Sequence, residues 1–299
     1  LTSLTLDFPP GATNQVVTDS FVLPDDVQVI AVNPHCHHLG RDLLGQAILP
    51  DGRTNQLLHI PDWNFNWQGD YRFAAPVPLP KGTRLQMRYV FDNSTNNPFN
   101  PNHPPVRVRY GVQTQDEMAE LWLQMLPSSP AGLEALRTAY AHKALPEIAT
   151  YQAYRLRLNP LDAHALGRLG MAKYQLGQQA EGFDLLQRAL ALDASDDFIH
   201  YHLGLMHQER HEAAAAENRF ADAVRINPNH AQAHGSLGIV LGERGQLAAA
   251  ARHLREAVRL DPGDPIARRT LAEVLRLEEV ARRRKAAPKP CPPVRPWRV

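Results

Sequence analysis

Two periods divide the chain. In its first part apolar and polar residues tend to alternate. Arg84-Leu85-Gln86-Met87-Arg88-Tyr89 keeps a period of two, as does Val106-Arg107-Val108-Arg109-Tyr110. Such alternation places every second side chain on one face of a strand. Val27-Gln28-Val29-Ile30-Ala31-Val32 is a β-branched run, and residues 118–126 form another strand-like stretch. Residues 43–49 and 54–60 flank Pro50-Asp51-Gly52-Arg53. Proline presets φ there and glycine accepts positive φ, so the segment reads as a turn. About eight short strands, separated by Pro, Asn and Gly clusters, predict an all-β sandwich or jelly roll.

After Pro127-Ser128-Ser129-Pro130 the alternation stops, and alanine- and leucine-rich segments recur every 34 residues. Leu169-Gly170, Leu203-Gly204 and Leu237-Gly238 keep that spacing, as do Ala189, Ala223 and Ala257, then Ala194, Pro228 and Pro262. The pattern resembles the tetratricopeptide repeat. Units are expected at 163–196, 197–230 and 231–264, with 151–160 as the second helix of a degenerate earlier unit and 265–284 as a capping helix. The glycines let paired helices approach closely, and the prolines end the second helix of each pair. Each unit buries its apolar face only against its neighbours, so the units form an all-α solenoid. The resemblance implies a concave surface for a protein partner, lined by residues such as His200, His207, His234 and Gln208. A spacer or scaffold without a ligand is the competing reading. The tracts 213–216 and 248–251 are all alanine and favour helix without implying a site. The expected organisation is therefore multidomain. A β-domain occupies 1–127, and a linker with a degenerate helical region follows at 128–150. The repeats with their cap take 151–284, and a basic proline-rich tail closes the chain at 285–299.

Charge adds little to this picture. The net charge of +1 conceals a basic end, with 8 basic and 2 acidic residues in 276–299. That composition predicts a disordered, solvated tail and no nucleic-acid surface elsewhere. No apolar run approaches the roughly twenty residues of a membrane span. Cys36 and Cys291 provide no disulfide framework.

Candidate chemistry lies in Asn33-Pro34-His35-Cys36-His37-His38-Leu39-Gly40 and in Asp116-Glu117-Met118. His-x-His in an extended segment sends both imidazoles to one face, and a distant methionine adds a thioether. Two nitrogens and a soft sulfur suit copper, whereas zinc sites take nitrogen, thiolate or carboxylate donors. A chance histidine pair beside a core methionine is the plain alternative. Together the two motifs resemble the C-terminal domain of the copper type II, ascorbate-dependent monooxygenases, the family of peptidylglycine alpha-hydroxylating and dopamine beta-monooxygenases. The resemblance covers about residues 1–127. It implies that His35, His37 and Met118 bind the copper at which dioxygen is activated. It also implies ascorbate or another reductant, a small organic substrate, and an extracytoplasmic (periplasmic or secreted) location.

The departures from that family are informative. Where peptide-hydroxylating members place an arginine, an asparagine and a tyrosine around the substrate carboxylate, this chain has Asn33, Glu120 and Trp122. An anionic Glu120 repels a carboxylate, which argues against a C-terminal-glycine peptide. A family disulfide is replaced by Tyr89 and Ala119. Only His35, His37, His38, His59 and His103 precede Ser128, so no counterpart of the family's electron-donating copper domain is present, and the chain reads as a fragment of a longer protein. Cys36 raises a blue-copper alternative, but alternation points it away from His35 and His37; it is expected to be a buried filler and His38 a packing residue. The run Trp63-Asn64-Phe65-Asn66-Trp67 is expected to be a packed loop rather than a substrate cage. The second overall reading is a non-enzymatic adaptor with a copper-binding or vestigial β-domain.

Overall fold

The computed structural model describes residues 1–286, which divide into one unit ending at Leu158 and another beginning at Asn159. The first contains nine strands: β1 (Asp7–Phe8), β2 (Gln15–Val22), β3 (Val27–His35), β4 (Gly40–Ile48), β5 (Thr54–Ile60), β6 (Tyr71–Leu79), β7 (Arg84–Phe91), β8 (Val108–Arg109) and β9 (Glu120–Pro127). They form a four-stranded sheet in the order β2-β7-β4-β5, a three-stranded sheet in the order β6-β3-β9, and the small pair β1-β8. All these strand pairings are antiparallel. The alternation read in β7 holds: Leu85, Met87, Tyr89 and Phe91 are buried in a core shared with Val29 and Val32 of β3, Leu43 of β4 and Leu121 of β9. This core between the two larger sheets makes a β-sandwich.

One irregularity matters for the site. The register of β3 shifts between Val29 and Ala31 against both neighbours. Before the shift Val27 and Val29 are buried; after it Val32 and Pro34 are, while Asn33 and His35 lie on the partly exposed face. A bulge inserts one residue and so exchanges the faces of everything beyond it.

Residues 128–150 do not form a separate linker. Helix α1 (Pro130–Leu158) runs through them and on to the end of the first unit. Its contacts explain why. Leu136 joins the β-core, Tyr140 meets Phe21 edge-on at 5.9 Å, Lys143 pairs with Asp19 at 2.6 Å, and Glu147 accepts from the Leu4 N–H at 2.5 Å. Residues 151–158 thus continue α1 instead of forming half of an earlier repeat.

Among the described residues of the second unit the regular elements are all helices: α2 (Ala163–Gln175), α3 (Gln179–Leu192), α4 (Asp197–Glu209), α5 (Ala213–Ile226), α6 (Ala231–Glu243), α7 (Leu247–Leu260) and α8 (Pro265–Ala286). Asp162 and Asp196 cap α2 and α4 by accepting from the Ala165 and Phe198 N–H groups, which supplies partners for otherwise unpaired first-turn donors. Helices pair where glycines remove a Cβ. One added at Gly204 would lie 2.6 Å from the Phe220 ring, and one at Gly238 would lie 2.6 Å from Leu254. Gly204→Ala is therefore expected to cost about 1–3 kcal/mol through overpacking. Urea unfolding followed by circular dichroism at 222 nm measures this, and an unshifted midpoint would contradict the packing role.

Two residues expected on the concave surface are elsewhere. His200 and His234 are buried, 3% and 7% exposed. Their Nε2 atoms bond the Ala194 and Pro228 carbonyls, each at 3.1 Å. They join each repeat to the turn before it, because a buried imidazole needs a partner. His207 bonds Glu212, and Gln208 is half-buried. Among the described residues no helix is long and apolar enough to cross a membrane. Of the basic proline-rich tail, residues 287–299, with Cys291, lie outside the described residues.

Candidate metal centre

Strand β3 ends at His35, and the chain then turns so that successive side chains part company. Cys36 points inward, fully buried in the β-core. Burial, with Glu117 nearby, pushes its thiol well above the ordinary range. That inward direction does not fit a blue-copper site, which requires the cysteine sulfur beside the imidazoles. His35 and His37 lie on the other side, their rings 5.3 Å apart between centroids and perpendicular at 86°.

Met118 comes to the same place. Its Sδ lies 3.3 Å from His35 Nε2. The three residues singled out by the sequence, His35, His37 and Met118, are therefore brought together across more than eighty positions of chain. His35 ends β3, whereas His37 and Met118 lie just outside β3 and β9.

Hydrogen bonds determine what each imidazole offers. His37 Nδ1 lies 2.9 Å from the Asp116 carbonyl. A carbonyl only accepts, so Nδ1 carries the proton and Nε2 keeps its lone pair. His35 Nδ1 is bonded to Gln68 Oε1 in the same sense. Burial holds the His37 imidazole below its ordinary basicity, opposed by the Asp116 carbonyl, and burial does the same at His38. Neutral imidazole is the form that binds metal.

The histidine and methionine segments are joined by Glu117, which is fully buried. Its Oε1 accepts from the backbone N–H of His37 and of Met118 at 2.9 Å. Its Oε2 accepts from the Leu39 N–H at 2.8 Å. One carboxyl group thus staples the histidine segment to the methionine segment. Burial raises its pKa to about 8, against the pull of the three N–H donors. The aromatic loop packs here as expected. Trp63, 2% exposed, donates Nε1–H to the His37 carbonyl at 3.0 Å, and Phe65 stands edge-on to His37 at 5.7 Å and packs on His38 at 4.6 Å. Trp67 at its end is 69% exposed. Sequence reasoning passed over Glu117, although it lies inside Asp116-Glu117-Met118. It also passed over Gln68, which no pattern marks.

The departures also take physical form. Glu120 accepts from Trp122 Nε1–H at 2.9 Å, and Asn33 donates to Asp70 at 3.0 Å. Tyr89 and Ala119, at the expected positions of the missing disulfide, are fully buried. The Tyr89 hydroxyl donates to the Glu120 carbonyl at 2.8 Å. His59 is bonded to Asp42 at 2.9 Å. Among the described residues no group of three or more His, Cys, Asp or Glu side chains converges as a metal site, so a metal at His35 and His37 depends on the Met118 thioether. Two imidazoles and a thioether are a donor set that fits copper.

The chain is thus a β-sandwich followed by tetratricopeptide-like helical repeats. No family model matches it. It is 41% identical over 85 residues to the cellulose synthase operon protein C of Escherichia coli strain K12 and to the putative protein of that name from strain O157:H7. Each match takes in 26% of this chain and only 7% of the relative's length. Solved structures with similarity include the crystal structure of MamA, at TM-score 0.37 and 17% identity over 53% of this chain and 99% of that one. The Sgt2 TPR domain from Aspergillus fumigatus gives TM-score 0.38 and 15% identity over 45% of this chain and 91% of that one.

Proposed function

We propose that this protein is an interaction module carrying a copper site. Its repeats engage a protein partner, and its β-domain holds one copper ion through His35, His37 and Met118. The observation that carries the metal half is the approach of His35 Nε2 to Met118 Sδ at 3.3 Å, with both Nδ1 atoms occupied elsewhere. Soft sulfur beside neutral imidazole favours Cu(I). Asp116 and Gln68 keep each proton on Nδ1, Glu117 holds the two segments in register, and Trp63 and Phe65 shield the inner side from water. Bound copper supplies one-electron redox chemistry. With dioxygen and a reductant such as ascorbate, it would support oxidation of a small organic substrate.

That last step is the second reading, a copper monooxygenase, and the convergence on Met118 favours it. X-ray absorption on the chain loaded with one equivalent of Cu(I) tests the site itself. A two-nitrogen, one-sulfur shell is expected in the wild type. Met118→Ala should remove the sulfur and weaken Cu(I) by more than the about 10–100-fold that loss of an outer partner costs. An all-nitrogen shell indifferent to that substitution, or no stoichiometric copper, overturns the site. Copper- and ascorbate-dependent oxygen uptake then separates enzyme from adaptor.

A further inference from the structure

We infer that Gln68 is a positioning residue that aims His35 at the metal and tunes its donor strength, an inference that rests on the copper reading above. Gln68 follows the 3-10 turn Phe65–Trp67 and is half-buried. Its carboxamide is held at both ends. Nε2 donates to the Phe65 carbonyl at 3.0 Å, which leaves Oε1, an acceptor only, facing His35 Nδ1. His35 must then carry its proton on Nδ1 and turn the Nε2 lone pair toward Met118 Sδ, 3.3 Å away.

The turn that carries Gln68 is itself anchored. The Asn64 side chain accepts from the Asn66 N–H at 2.9 Å, and Trp63 and Phe65 are fastened to His37 as described above. A loop that contributes no ligand therefore orients both histidines. The two are held differently. His37 is aimed by a main-chain carbonyl, which no side-chain substitution removes, whereas His35 depends on a replaceable side chain. The choice of amide matters as well. A carboxylate at this position would make the imidazole more basic and strengthen its bond to Cu(II). A neutral amide leaves Nε2 a weaker donor and the reduced ion relatively favoured.

The test compares wild type with Gln68→Leu, which keeps the volume and loses the acceptor, and Gln68→Glu, which keeps the acceptor and adds charge. Cu(I) affinity is measured by competition with bicinchoninate, alongside the Cu(II)/Cu(I) midpoint potential and the melting temperature of the metal-free chain. Both variants should melt near wild type. Gln68→Leu should bind Cu(I) about 10–100-fold more weakly. Gln68→Glu should restore affinity and move the potential in the negative direction. Wild-type affinity in Gln68→Leu, or an unmoved potential in Gln68→Glu, overturns the role of Gln68 while leaving the copper site standing. If the wild type takes up no stoichiometric Cu(I), the copper reading itself fails, and the inference with it.

Discussion

Glu117→Ala should lower the stability of the β-domain by about 3–9 kcal/mol and, on the copper reading proposed above, abolish Cu(I) binding. The Glu117 carboxyl group is fully buried and accepts from three backbone N–H groups, those of His37, Leu39 and Met118. Deleting it orphans all three donors, at about 1–3 kcal/mol each, and leaves a cavity beside Cys36. Glu117→Gln keeps the shape but must turn an NH2 toward one of those donors, so a smaller loss, about 1–3 kcal/mol, is expected. Urea unfolding followed by tryptophan fluorescence measures both. A wild-type midpoint in Glu117→Ala would show that the three N–H groups find other partners and that the staple is dispensable.

Phe220→Ala should cost the helical unit about 3–5 kcal/mol, the range for emptying a buried aromatic site. Phe220 is fully buried on α5 and belongs to a cluster with Leu237, Leu241 and Leu254. It fills the space vacated by the missing Cβ of Gly204, and Tyr201 packs at 5.9 Å. Glycine has no side chain with which to close the resulting cavity. Repeat units are stabilised mainly by their immediate neighbours, so the loss at the α4–α5 pair is expected to spread to α6. Thermal unfolding followed at 222 nm should show a clearly lowered midpoint. A shift no larger than that of an exposed substitution such as Gln175→Ala would sink this account.

Where sequence reading succeeded, the information was local. The 34-residue recurrence of Leu-Gly and Ala located three helix pairs, since both the turn spacing of a helix and the need for a small residue at a crossing are written within each unit. The alternation in 84–89 announced a strand with one buried face, and the two separated motifs named the three side chains that converge. The reading of 128–150 as a linker with a degenerate helical region did not foresee that one helix, α1, packs along the β-core. Its few apolar contacts, Leu136 among them, look like any helical residues until the β-core they enter is known.

Donor type belongs to the residue, so the side chains chemically able to form the candidate site were legible in the linear pattern. So was the order of a β-domain followed by helical repeats, because hydrophobic period is local. The remainder follows from long-range packing. The bulge after Val29 turns His35 outward, although an uninterrupted strand would have buried it with Val27 and Val29. His200 and His234 are taken into the repeat core through carbonyls of the preceding turn. Glu117 and Gln68 became part of the site only because their partners, up to eighty positions away, were folded against them. Burial and hydrogen-bond partnership are properties of pairs of residues, and a linear pattern records only one member of each pair.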